Sequence, residues 1–357
     1  MKLKIKTETF KEMVSKSVKG ASCNKLIPIT GFMAVYVKSG TLFLVTTDAT
    51  NYLYIKKEGI ESDDFYVVVE VEVFSKLISR MTCEFVTLEV TDNVLKVVGN
   101  GTYNIEVVIE EDGEMVRFPD PLDGIKASPI GEMQVTSIGT ILNTLKPSLA
   151  TTLEVPCYTG YYFGENVVAT DTEIMSVLNS RVLPNEYLIS SEMVDLLSIM
   201  TAEKIGVDGK DNILIFTSPD CIVYGPTMEG IEEYPVDKIQ ERVSQEFPRK
   251  CTISKDSLLQ LLDRLVLFVG PYDDRAVDFV FTKEGLLIQS KSTSGSELIP
   301  YMESENFQEF SGIIDIVYLR TQIKSQTSDK VEMYYGDPNL IKTVDGNITQ
   351  CIALIQK

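Results

Sequence analysis

The sequence predicts an α+β fold made of three tandem copies of one domain, each with two helices packed on antiparallel sheets. Three observations predict it. A chain of 357 residues is longer than one hydrophobic core usually organises. One strand-then-helix pattern occurs three times, and an aromatic-proline step stands shortly before the second and third copies. With 44% hydrophobic and 24% charged residues, the chain has the balance of a folded globular protein.

The recurring opening is a short strand, a Ser/Thr cap region and an amphipathic helix. It reads as LKIKTETFKEMVSKSVK over Leu3–Lys19, MQVTSIGTILNTLKPSL over Met133–Leu149 and CTISKDSLLQLLDRLVL over Cys251–Leu267. In the first copy Phe10, Met13, Val14 and Val18 share one helical face, leaving Lys11, Ser15 and Lys19 on the other. A hairpin of alternating strands follows each time: Phe32–Thr47 around Ser39-Gly40, Tyr158–Thr170 around Gly164-Glu165-Asn166, and Val277–Ser290 around Lys283-Glu284-Gly285. A second helix comes next, near Val73–Met81, Ser191–Met200 and Ile316–Ser325, and further alternating strands complete the unit. Phe118-Pro119-Asp120 and Tyr234-Pro235-Val236-Asp237 read as extended segments leaving a strand. The domains therefore fall at 1–125, 126–245 and 246–357.

Composition narrows the function. No apolar run reaches membrane-span length, and Met1-Lys2-Leu3-Lys4-Ile5-Lys6 alternates charge with aliphatic residues instead of forming a signal-peptide core, so a cytoplasmic chain without membrane contact is expected. The six cysteines (Cys23, Cys83, Cys157, Cys221, Cys251, Cys351) are scattered without a CxxC pair, and histidine is absent. The usual zinc sets are then unavailable, no metal or cofactor is expected, and the cysteines are expected to be reduced core residues. Lacking histidine, the chain also has no Ser-His-Asp or Cys-His machinery. A net charge of −19 is compatible with nucleic acid only if the basic residues gather on one surface.

Across essentially the whole chain the sequence resembles the β subunit of bacterial DNA polymerase III, the sliding clamp, in a divergent version. The residues that carry the resemblance are Ile27-Pro28-Ile29 before the first hairpin, Gly40-Thr41-Leu42 and Thr46-Thr47-Asp48 at its turn and end, Val168-Ala169-Thr170-Asp171, Leu258-Leu259, and the triple repeat. The resemblance implies a non-catalytic processivity subunit whose three clamp-type domains form half of a closed homodimeric ring around duplex DNA. Partners would be the polymerase catalytic subunit, the clamp loader and other proteins bearing a clamp-binding motif. Helices would face the hole, making Lys11, Lys16, Lys19, Lys25, Lys76, Arg80, Lys146, Arg264, Arg320 and Lys324 candidates for the DNA-facing channel. The second helix of the middle domain fits this poorly, carrying Glu192 and Asp195.

The resemblance also implies an apolar pocket for a short linear peptide, mapping by motif to Tyr158, Thr170, Thr172, Met175, Pro235, Ile352, Leu354 and Ile355. Tyr103 and Ile105, with Phe268 and Val269, occupy positions of the subunit interface. Several positions depart from the family. Thr172-Glu173-Ile174-Met175 stands for Gly-His-Arg-Leu, so a basic rim is expected to have become acidic. Leu354 and Gln356 stand for Pro and Arg, and Asp274 replaces an aromatic residue before Arg275, although Tyr272 is close by. A peptide different in charge from the common one is expected. Two alternatives stay open: a clamp-fold scaffold that does not encircle DNA, and a metal-dependent hydrolase using Asp48 and Asp171, which occupy equivalent strand ends. Local capping of backbone donors by these aspartates explains their equivalence without a metal.

Overall fold

The computed structural model describes residues 1–91, 93–110, 113–119, 127–270, 275–291 and 295–355. Asp120, Tyr272, Asp274, Gln356 and the boundary expected at 125/126 lie outside the described residues. The first repeat contains β1 (Lys2–Lys6), α1 (Thr7–Val18), β2 (Phe32–Lys38), β3 (Thr41–Thr47), β4 (Tyr52–Glu58), β5 (Phe65–Glu70), α2 (Val71–Ser79), β6 (Phe85–Thr91), β7 (Val94–Val98) and β8 (Thr102–Glu106). The second contains β9 (Ser128–Gln134), α3 (Val135–Thr140), β10 (Gly160–Phe163), β11 (Val167–Thr170), β12 (Ile174–Leu178), β13 (Tyr187–Ser190), α4 (Ser191–Leu197), β14 (Lys204–Lys210), β15 (Ile213–Thr217) and β16 (Cys221–Pro226), followed by α5 (Val236–Ser244). The third contains β17 (Arg249–Ser254), α6 (Lys255–Leu265), β18 (Ala276–Phe281), β19 (Leu286–Ser290), β20 (Ser296–Ile299), an added β21 (Glu303–Glu305), β22 (Phe310–Asp315), α7 (Ile316–Ser325), β23 (Lys330–Tyr335), β24 (Leu340–Asp345) and β25 (Ile348–Ala353).

Pairing repeats with the elements. The opening strand of each copy lies antiparallel to the strand after its second helix, with Leu3 opposite Leu88, Met133 opposite Ile205 and Cys251 opposite Met333. The sheets run β1-β6-β7-β8, β5-β2-β3-β4-β16-β15-β14-β9, β13-β10-β11-β12-β25-β24-β23-β17-β21 and β20-β19-β18-β22. The two long sheets each cross a repeat junction in the same way. β4 pairs with β16, placing Leu53 opposite Val223, and β12 pairs with β25, placing Met175 opposite Cys351. Burial of these apolar pairs turns two would-be sheet edges into core.

Compactness follows the long sheets. One unit holds residues 1–138 and 192–227, and the other holds 139–191 and 228–357. In the first unit α1 packs on α2 with Phe10 edge-on to Phe74 at 5.9 Å, and both rings are fully buried. The β2–β3 turn has Ser39 at φ 51° and Gly40 at φ 74°, the paired left-handed residues that match strand twist in a tight hairpin. In the second unit Leu258, Leu261, Leu262 and Leu265 of α6 meet Ile316, Leu319 and Ile323 of α7 over Phe279, Ile288 and Ile352. Ser254 caps α6 by accepting from Ser257 N, and Asp315 caps α7 by accepting from Val317 N and Tyr318 N.

The segment after Tyr234-Pro235, read above as extended, is instead the helix α5. Pro235 sits at its N-cap and Asp237 in its first turn, while Val236, Ile239 and Val243 recur at helical spacing against one core. Cys157, Cys221, Cys251 and Cys351 are buried as expected, but Cys83 is half-buried and Cys23 exposed.

Candidate functional site

Within the second unit a cavity of about 370 Å³ opens where β12 meets β25. Its walls come from Tyr158, the Thr170–Met175 turn, Pro235 and α5, and the strands β24 and β25. Pro235, Thr170, Thr172, Met175 and Tyr158, predicted from the motif, are thus brought together. The C-terminal strand behaves differently. Cys351 and Ala353 line the cavity, whereas Ile352 and Leu354 belong to the core under α6 and α7, and Ile355 is 41% exposed outside it. Ile352 and Leu354 are therefore off by one position, because neighbouring residues of an extended chain face opposite sides, while Ile355 lies past the end of β25.

The core that carries the lining residues Met175, Ile239, Leu340 and Cys351 is apolar and tightly built. Tyr234 is buried, stacked on Tyr162 at 5.3 Å and edge-on to Tyr158 at 5.7 Å, and its hydroxyl donates to Val168 O. Burial pushes the Tyr234 phenol far above its ordinary range, and burial together with the nearby Glu186 pushes Tyr162 up to about 12. Burial also drives the Cys351 thiol up to about 12, so it contributes packing and not thiolate reactivity at neutral pH. From behind, the fully buried Gln322 of α7 donates from one amide nitrogen to Met175 O and Cys351 O, each at 3.1 Å. These two residues face each other across the repeat junction.

The rim carries both signs of charge. The 170–174 turn is fixed by its own side chains: Thr170 Oγ1 donates to Ile174 O and accepts from Thr172 N, while Asp171 Oδ1 accepts from Glu173 N and Ile174 N. Thr172 is thereby held at φ 83°, a costly conformation for a β-branched residue. Thr47-Asp48 makes the same turn in the first repeat, with Ala49 at φ 85° and Asp48 Oδ1 accepting from Thr50 N and Asn51 N. Both aspartates are thus engaged in local capping. No cluster of three or more metal-type ligands occurs among the described residues.

Glu173 makes part of the rim acidic, as expected, but α5 restores cations through Lys238 and Arg242. Arg242 approaches Asp337 at 3.9 Å. Lys342 donates to Val243 O at 2.8 Å and Gln245 O at 3.0 Å, placing a cation on the carbonyls at the C-terminal end of α5. Burial lowers the Lys342 pKa below its ordinary value. Lys238 and Arg242 are not among the sequence-predicted site residues because an aromatic-proline step signals an extended segment and not a helix start. The signal was present in an N-terminal proline, an early aspartate and a late arginine.

The first unit has a second cavity, about 480 Å³, lined by Ala34, Tyr36, Tyr54, Tyr66 and Phe118. Ala34 pairs with Val45 as Tyr162 pairs with Val168, so a small residue leaves open the space that a tyrosine fills in the second repeat.

The candidate channel residues divide by partner. In the first unit Lys11 and Lys76 share a groove between α1 and α2 with Ser15, Ser75 and Ser79, and each meets a carboxylate of its own helix, Lys11 with Glu8 at 3.7 Å and Lys76 with Glu72 at 2.5 Å. Lys19, Lys25 and Arg80 are exposed and have no ion pair among the described residues. Lys16 is committed inside the fold, 2.9 Å from Glu12 and 3.0 Å from Asp220. Burial would lower its pKa, but the bonds to both carboxylates outweigh this and raise it above 10.5. In the second unit Lys146 and Lys324 are exposed, while Arg264 pairs with Glu297 of β20 and Arg320 joins Asp263 on α6 at 2.5 Å.

The expected interface residues also split. Tyr103 is 40% exposed on β8, an edge strand, but Ile105 is 8% exposed and packs within its own unit. Phe268 is 47% exposed, Leu298 on the edge strand β20 is 43% exposed, and Val269 packs partly against the α6–α7 core.

No family model matches the chain, and no curated protein matches it significantly in sequence. Solved structures do match over its whole length. The DNA polymerase III beta chain of Streptococcus pneumoniae superposes with a TM-score of 0.86 at 16% identity, covering 100% of both chains. The DNA polymerase sliding clamp of Bacillus subtilis gives 0.84 at 15%, and DNA polymerase III subunit beta of Borrelia burgdorferi gives 0.85 at 16%, each covering 100% of this chain and 99% of the other. The triple repeat, the shared junction sheets and these superpositions together identify the fold as that of the bacterial DNA polymerase III beta sliding clamp.

Proposed function

We propose that the chain is a non-catalytic DNA sliding clamp, whose copies join head to tail into a ring around duplex DNA. One observation carries this reading: the repeat-junction pairing occurs twice inside the chain, β4 with β16 and β12 with β25, and its third instance is missing. The equivalent strands are β20 and β8, each left as the open edge of a four-stranded sheet. Pairing β20 of one copy with β8 of the next repeats the internal junction, and a ring closes when the rotation per copy completes a full turn, after two copies in the proposed homodimer. Topological linkage then gives persistence on DNA, so phosphate contacts can be few and sequence-independent. The exposed Lys19, Lys25, Arg80 and Lys324 suffice for such contacts, whereas Lys11, Lys76, Arg264 and Arg320 must first leave a carboxylate. The cavity beside β12 and β25 takes a short peptide of a polymerase, clamp loader or other partner, in the manner of an apolar anchor site.

Loading onto nicked circular DNA, followed by linearisation, tests the reading. Retention on the circle and loss from the linear form is expected. Equal retention on both would replace it with a non-encircling scaffold, the reading favoured by the carboxylate partners of Lys16, Arg264 and Arg320.

A further inference from the structure

We infer that the pocket selects an extended peptide whose apolar anchor is flanked by one acidic and one basic residue, Lys238 receiving the acid and Glu173 the base. The inference rests on the peptide-docking reading above. The floor, made by Met175, Ile239, Leu340 and Cys351, has no formal charge and supplies affinity without polarity. Polarity sits only on the rim. Arg242 is engaged by Asp337 and Gln245, and Asp337 is held below the ordinary carboxylate range against its burial by Gln245 Nε2, backbone donors and Arg242. Glu173 and Lys238 are exposed and make no ion pair among the described residues, so they are the charges left for a ligand.

Both charges stand on fixed backbone. Glu173 N donates to Asp171 Oδ1, and Glu173 O accepts from Ala353 N at 2.8 Å, which pins the turn to β25. Lys238 rides on α5, whose C-terminal end is held by Lys342. Asp171 adds a second negative charge to the turn, so an acidic ligand residue is repelled there and a basic one attracted. A preset pair of opposite charges on separate elements reads the order of charges along a peptide and penalises the reverse order.

The test uses the full chain and three labelled peptides with one Leu-Phe anchor: Asp before and Lys after it, Lys before and Asp after it, and serine on both sides. Anisotropy titration is expected to rank one charged order about two- to fivefold above serine per rim contact, with the other order below serine. High salt collapses the ranking. The double substitution Glu173→Lys with Lys238→Glu is expected to reverse it. Equal binding of all three peptides, lost in Met175→Asp, overturns the charge inference and leaves the pocket reading standing. A ranking unchanged by the double substitution assigns it to other groups and likewise overturns the inference. If no peptide binds, the pocket reading fails and the inference with it.

Discussion

Lys16 Nζ lies 3.0 Å from Asp220 Oδ2, so a lysine of the first helix is bonded to the turn that leads into β16, more than two hundred positions away in sequence. Asp220 O accepts from Lys56 N at 2.9 Å, which ties the same turn to β4. Lys16 therefore braces the first junction sheet. Lys16→Met is expected to cost about 1 kcal/mol in urea unfolding, the order of a partly exposed ion pair with one half-buried partner left behind. Retention on circular DNA is expected to stay unchanged. A stability equal to the parent's would remove this brace.

The same pair sets a pH dependence. Burial works to raise the Asp220 pKa, but the bonds from Lys16 and Ser218 hold it below 3.8. A depressed carboxylate stabilises the fold above its unfolded pKa, and that contribution is lost as pH falls through the folded value. Lys16, raised above 10.5, contributes below that value and loses its contribution at higher pH. The stability difference between the parent and Asp220→Asn should thus be flat near neutrality and shrink below about pH 4. Unfolding curves between pH 3 and 7 read this directly, and a difference that grows on acidification contradicts it.

Gln322 offers a second check. Its amide serves two carbonyls at the β12–β25 junction, and Gln322→Leu leaves both without that donor in a fully buried place. A loss of about 2 kcal/mol is expected. Faster amide exchange along β12 and β25, with α1 and α2 unaffected, would localise the effect. Uniform exchange changes across the chain would argue against it.

How much of this could be read beforehand depends on whether the partners are close in sequence. The repeats were legible because strand, cap, helix and hairpin are local patterns, and Ser39-Gly40 announces its turn. The Thr-Asp turns at 47 and 170 were legible for the same reason. The direction of β25 was not: five of its six residues are buried, so polar alternation, which would mark Cys351 and Ala353 as the pocket face, is missing. The fate of the channel cations was equally hidden, since the partners of Lys16, Arg264 and Arg320 are supplied by tertiary structure at Asp220, Glu297 and Asp263.

The strained turn gives a prediction with an internal control. Thr172 and Ala49 share a positive φ in equivalent turns, but only Thr172 lines the cavity beside β12 and β25, the proposed peptide site. Glycine relieves the backbone at either position, and each substitution is expected to stabilise by up to about 1 kcal/mol, the β-branched threonine gaining more. Peptide affinity should change for Thr172→Gly and not for Ala49→Gly. Destabilisation by Thr172→Gly would show that its side-chain contacts outweigh the strain.

Subunit pairing is best probed at Tyr103, not at Ile105. Ile105 sits opposite Leu95 and is 8% exposed, so Ile105→Asp places a carboxylate in the unit's own core and lowers its melting temperature whatever the assembly does. Tyr103, 40% exposed on the same edge strand, and Leu298, 43% exposed on β20, carry side chains that a partner strand would cover. In the proposed head-to-tail ring these two edges would meet, so Tyr103→Asp and Leu298→Asp should each shift the mass in light scattering from the closed assembly to the single chain, with the melting transition of the isolated chain retained. Each should also abolish retention on circular DNA. A mass unchanged by both substitutions would mean that β8 and β20 do not form the missing third junction.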